Sequence, residues 1–241
     1  MKPITTTALA LMAIIGVNST AMAGTQVFLD DFNGDKLSDH WDVINADPDA
    51  YIVEDGTLLS IATGGGGLNT GKVANIFRLK QKMPKGDWVA TIKYAMPYQT
   101  GRESPFLALY GDKDNYMVAL ANAWSYYEHT RGSRLYLTSS KTLKGKSVDF
   151  SKVIWGGAGG KPFTAEEAPN PFVLRLTKKG RSYTAAVRLH LTKGAEPTWV
   201  EDATVTVLRE PGSLAFGIYQ AQKVKGETPM SVDWVKIESA D

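Results

Sequence analysis

The stretch YTAAVRLHLT places Tyr183, Ala185, Val187, Leu189 and Leu191 on one side of an extended chain. Thr184, Ala186, Arg188, His190 and Thr192 fall on the other. That period of two is a β-strand signature, and it recurs along the chain. Strand-like runs rich in Val, Ile, Thr, Tyr, Phe and Trp occupy 26–32, 50–53, 57–62, 74–79, 88–96, 106–110, 116–121, 134–138, 172–177, 182–191, 198–207, 214–219 and 231–237. Gly, Pro, Asn and Asp punctuate them, and no amphipathic helical period appears. The pattern predicts an all-β sandwich or barrel.

The first residues, MKPITTTALALMAIIGVNSTAMAG, combine a lysine, a short apolar run and Ala21-Met22-Ala23. They read as a signal peptide over residues 1–23, cut after Ala23, with export to the periplasm or beyond. Residues 24–241 read as a single sandwich domain. Gly64–Gly67 reads as a loop between strands, and residues 139–171 as the longest irregular region. Cysteine is absent, which excludes disulfides, thiol catalysis and cysteine-ligated zinc. Charge is balanced, with 27 Lys+Arg against 25 Asp+Glu, which argues against nucleic acid or an anionic membrane as main partner.

Strict alternation in the final run, MSVDWVKIES, puts Asp233 in line with Val235 and Ile237. A carboxylate turned inward needs donors, a cation or a metal. Two further segments stand near the start, FLDDFNGDKLSDHWDVI and YIVEDGTLLSI. The end carries LAFGIYQA and SVDWVKIES. Together these resemble the concanavalin A-like jelly-roll superfamily, most closely glycoside hydrolase family 16 sandwiches and the C-terminal modules of family 43 β-xylosidases. The resemblance implies a jelly roll of two antiparallel sheets with the chain ends adjacent. It also implies a structural calcium ion held by the Asp233 side chain and by the carbonyls of Gly56 and of a residue near Phe28. The alternative is that Asp233 accepts hydrogen bonds from the backbone or from Trp41.

The chemistry of that superfamily is not carried over. The E-x-D-x-x-E strand that would pair two carboxylates is absent. Glu166 and Glu167 sit in a Pro-flanked loop, and Glu103 and Glu128 stand apart. The R-x-E-x-R and Q-I-H lyase signatures are missing too. Tyr127, His129, Arg131 and Arg134 nevertheless cluster in WSYYEHTRGSRLYL, and such a set could abstract an acidic proton and stabilise an enolate. The same stretch also reads as a solvated hairpin. His40, His129 and His190 have no metal-ligand spacing.

Aromatics remain. Trp124, Tyr126, Trp155 and Tyr219, with Arg134, Asn122 and Gln220, form a candidate sugar-binding set on the concave face. Trp41, Trp88 and Trp234 read as core. The reading that follows is an exported module binding a polysaccharide or oligosaccharide. A glycoside hydrolase or polysaccharide lyase with a non-standard site, or a structural protein, are the alternatives.

Overall fold

A computed structural model describes residues 24–62, 66–96, 103–124, 134–156, 171–189, 198–220 and 228–240. The proposed signal peptide lies outside them. Fifteen strands run through the described residues: β1 Thr25–Asp30, β2 Trp41–Ile44, β3 Tyr51–Glu54, β4 Thr57–Ala62, β5 Ile76–Leu79, β6 Trp88–Ala95, β7 Glu103–Asp112, β8 Asn115–Trp124, β9 Arg134–Leu143, β10 Lys146–Gly156, β11 Phe172–Lys179, β12 Ser182–Leu189, β13 Trp199–Thr206, β14 Ser213–Gln220 and β15 Thr228–Ser239. Two single-turn 3-10 helices, at Pro48–Ala50 and Leu68–Thr70, are the helical elements among these residues. No helix among them is long and apolar enough to cross a membrane.

The strands form two antiparallel sheets. An eight-stranded sheet runs β13-β12-β11-β6-β15-β4-β3, with β1 also pairing β15. A seven-stranded sheet runs β10-β9-β8-β7-β14-β5-β2. The expected antiparallel sandwich is thus the observed one. Its core lies between the sheets. Leu58, Trp88, Ile92, Leu174 and Val187 come from one side, and Phe77, Leu107, Leu109, Leu137 and Phe216 from the other. Each fully buried aliphatic or Phe side chain contributes roughly 1.5–3 kcal/mol relative to exposure. Trp41 meets Phe216 edge-on with centroids 5.0 Å apart, and Phe77 stacks on the same ring.

The expectation of irregular structure from 139 to 171 is corrected over 139–156. These residues complete β9, turn, and return as β10. Lys144 and Gly145 form the two-residue turn with φ of 52° and 72°. Two positive φ values match the twist of a hairpin, as in Asn-Gly or Asp-Gly turns. Lysine at the first position hid that signal. Asp55-Gly56, with φ of 51° and 70°, makes the same kind of turn between β3 and β4.

Strict alternation is also corrected in β15. A register shift falls between Val232 and Trp234. A β-bulge inserts one residue and changes the phase of the side chains. Val232, Val235 and Ile237 therefore all face the core, while Asp233 and Trp234 are both half-buried. Asp233 does not share a face with Val235 and Ile237, and Trp234 is not core.

Candidate functional site

The outer face of the seven-stranded sheet is built from alternate residues. On β7 and β8, Leu107, Leu109, Met117 and Ala119 point into the core. Phe106, Ala108, Tyr110, Tyr116, Val118 and Leu120 point away from it. A second apolar cluster forms there, because Leu68 and Val73 fold over this face and bury themselves against it. Leu68 is only 3% exposed. The segment around Leu68 therefore covers part of the sheet and leaves the β8–β10 part open.

A cleft of about 430 Å³ occupies the open part. Gly67, Leu68, Asn69 and Tyr219 line one side, and Tyr116, Val118 and Leu120 of β8 lie next to them. Tyr136, Thr138 and Ser140 of β9 and Ser147, Asp149 and Ser151 of β10 complete it.

The antiparallel register sets these polar groups in facing pairs: Ser147 opposite Thr142, Asp149 opposite Ser140, and Ser151 opposite Thr138. Cross-strand pairs of this kind are close enough to hydrogen-bond. Thr142 Oγ1 and Ser147 Oγ are 2.8 Å apart, as are Thr138 Oγ1 and Ser151 Oγ. The Ser140 hydroxyl donates to Asp149 Oδ1. Burial pushes the Tyr116 phenol up from its ordinary value. The Thr142 hydroxyl bonded to it pulls the other way, and the nearby Asp149 charge adds to the rise. Tyr219 is also pushed up, first by burial, against a hydrogen bond with Ser104 and with help from Tyr116 and Asp149. Both phenols stay protonated at neutral pH and offer O–H groups.

The residues singled out from the sequence are distributed unevenly. Tyr219 lines the cleft. Arg134 is exposed at the start of β9, opposite Trp124 and Gly156 in register. Trp124 and Asn122 belong to β8, and their side chains lie outside the description. Tyr126, Tyr127, His129 and Arg131 lie outside the described residues, as do His190, Glu128, Glu166 and Glu167.

Trp155 is a correction. It follows a register shift after Val153, pairs with Leu135, and packs against the core between the sheets. Gln220 is another. It is buried between the sheets, where its amide donates to Thr228 Oγ1 at 2.8 Å, and the Thr228 hydroxyl contacts Glu103 Oε1 at 3.4 Å. The hydroxyl pairs of β9 and β10 escaped sequence reading. Thr138, Ser140 and Thr142 alternate, as do Ser147, Asp149 and Ser151, so pairing them about Lys144-Gly145 would have found them.

Asp233 is held by Lys93, whose ammonium contacts its Oδ2. Gly56 sits in the β3–β4 turn, and Phe28 pairs with Ile237. Among the described residues no group of three His, Cys, Asp or Glu side chains could hold a metal. With a lysine ammonium on its carboxylate, Asp233 does not fit a calcium ligand in this arrangement. The buried carboxylate at the chain ends is Asp30 instead. It accepts the Trp41 indole N–H at 2.7 Å, the Ser38 hydroxyl at 2.7 Å and the Phe32 amide at 3.0 Å.

No protein-family model matches this chain, and no curated relative matches it. Solved structures do. The GH43 BlXynB protein of Bacillus licheniformis superposes with a TM-score of 0.63 at 15% identity, over 88% of this chain and 39% of that one. A xylan β-1,4-xylosidase of Bacillus halodurans gives 0.61 at 16% identity, again over 88% and 39%. A β-1,3-1,4-glucanase, or lichenase, from a mouse hindgut metagenome gives 0.55 at 14% identity, over 89% of this chain and 99% of that one. The fold is a concanavalin A-like jelly roll. The chain spans about two fifths of the length of the two Bacillus proteins and nearly the whole length of the glucanase. At these identities the likeness carries the fold alone.

Proposed function

We propose that this chain binds a polysaccharide or oligosaccharide in the cleft over β8, β9 and β10. The observation that carries the reading is the lining of that cleft. Three tyrosines, Tyr116, Tyr136 and Tyr219, surround a floor of cross-strand hydroxyl pairs. Ring faces suit the apolar side of a pyranose, and hydroxyls and one carboxylate suit its O–H groups. The similar solved structures include a xylosidase and a glucanase, which supports a glycan as ligand.

Binding rather than hydrolysis is the main reading. A retaining glycosidase needs two carboxyl groups about 5 Å apart. Asp149 is the single carboxylate among the described lining residues. The catalytic alternative would draw on Tyr127, His129, Arg131 and Arg134, of which only Arg134 is described. Export behind the signal peptide belongs to the same proposal.

A glycan array on the full-length mature protein tests it, with each hit incubated overnight and its products analysed. Retention of a glycan without products supports a binding module. Shortened or unsaturated products make the protein an enzyme. No binding to any glycan overturns the reading and favours a structural role.

A further inference from the structure

We infer that Asp149 makes this cleft selective for uncharged sugar chains over acidic ones such as uronans, an inference that rests on the glycan-binding reading above. Among the described lining residues, Asp149 is a negative charge without a matching cation. No Lys, Arg or His stands among them. The nearest lysines on its own hairpin turn away. Lys141 donates to the Thr206 carbonyl and Lys152 to the Glu201 carbonyl, both on the far side of the sheet. Lys146, an odd number of residues from Asp149, alternates to that far side as well.

Arg134 is on the cleft side of β9 but six residues from Ser140, the partner of Asp149. At about 3.3 Å per residue that is roughly 20 Å. Charges so far apart are largely screened at physiological salt, where the Debye length is about 8 Å.

Asp149 itself is exposed to the cleft and keeps acceptor capacity beyond the Ser140 bond. A neutral sugar can donate its hydroxyls to it. A uronan carries a carboxylate on every residue, so no register along the chain moves charge away from Asp149. Val118 and Leu120 line the same space, and near a protein surface the effective dielectric is well below that of bulk water, which strengthens the repulsion. A like charge within about 5 Å in such surroundings costs about ten-fold in affinity or more.

Affinity electrophoresis of the mature protein in gels carrying xylan, mixed-linkage β-glucan, polygalacturonate or alginate tests the inference, at low and high salt. The wild type should be retarded by a neutral gel and not by the acidic ones at low salt. In Asp149→Asn, the ratio of acidic to neutral affinity should rise at least ten-fold. High salt should raise the same ratio in the wild type by screening Asp149 and leave it nearly level in the variant.

Equal retardation of the wild type by acidic and neutral gels at low salt overturns the charge filter while leaving glycan binding intact. An unchanged ratio in Asp149→Asn does the same. No retardation by any gel overturns the glycan-binding reading, and the inference falls with it.

Discussion

The indole N–H of Trp41 and the carboxylate of Asp30 meet at 2.7 Å, and both residues are buried. They stand eleven residues apart in one segment, with Ser38 and Phe32 supplying the remaining donors. This knot fixes the approach of β1 to β2. Asp30→Ala should remove three hydrogen bonds and leave the Trp41 donor buried without its partner. A loss of roughly 2–4 kcal/mol is expected, read as a lower denaturant midpoint with an unchanged slope. A loss below about 0.5 kcal/mol would refute the knot as a stabilising element.

Asp233 should behave differently. Its contact with Lys93 is half-exposed on the outer face of the eight-stranded sheet. Asp233→Asn should cost under about 1 kcal/mol. Melting curves in calcium and in chelator should coincide for the wild type. A calcium-dependent rise that disappears in Asp233→Asn would restore the ion site and displace Lys93.

Tyr136 is half-buried on the cleft side of β9. Tyr136→Ala should weaken glycan binding at least five-fold, about 1 kcal/mol, with a melting temperature close to the wild type. Trp155→Ala should do the reverse. It removes a ring packed on the core and should cost about 2–4 kcal/mol, while calorimetric glycan affinity measured below the melting range stays level. An exchange of these two outcomes would place the binding platform on β10 beyond the bulge.

The phenols of Tyr110, Tyr116, Tyr183 and Tyr219 are all pushed above their ordinary value of 10.0, in each case chiefly by burial. The folded state therefore holds protons that the unfolded chain gives up above that pH. Their stabilising contribution is complete below pH 10.0 and is lost as pH rises beyond it. The urea midpoint should fall across that range, and Tyr219→Phe should make the fall shallower. A midpoint that rises with pH above 10.0 would contradict the assignment.

The sandwich was legible because period-two runs between turn residues leave few alternatives. The run from Tyr183 to Leu189 kept its expected faces. What escaped was set by single-residue geometry. The bulge after Val232 takes Asp233 off the face of Val235 and Ile237 and Trp234 off the face of Val232, and nothing in MSVDWVKIES marks it. Lys144 adopts a left-handed conformation usually left to Asn or Gly, so β10 looked like loop. Asp30 was passed over for Asp233 because strand alternation carries no information about a side chain that folds back on its own loop. The cleft was missed for a related reason. Serine and threonine rarely signal a site singly, and here they matter as pairs across a hairpin.

β15 follows every other described strand in the chain, yet it lies inside the eight-stranded sheet, with β6 on one flank and β4 and β1 on the other. Thr25 at one end of the described chain faces Ser239 at the other. Until β15 has emerged from the ribosome, β6, β4 and β1 expose unpaired edges and lack their common neighbour. The sheet cannot close before β15 is available, and folding must wait for a contact between Thr25 and Ser239, far apart in the chain. Such long-range closure is slow. The nascent chain therefore passes through an open, edge-rich interval in which unpaired strands are exposed to self-association.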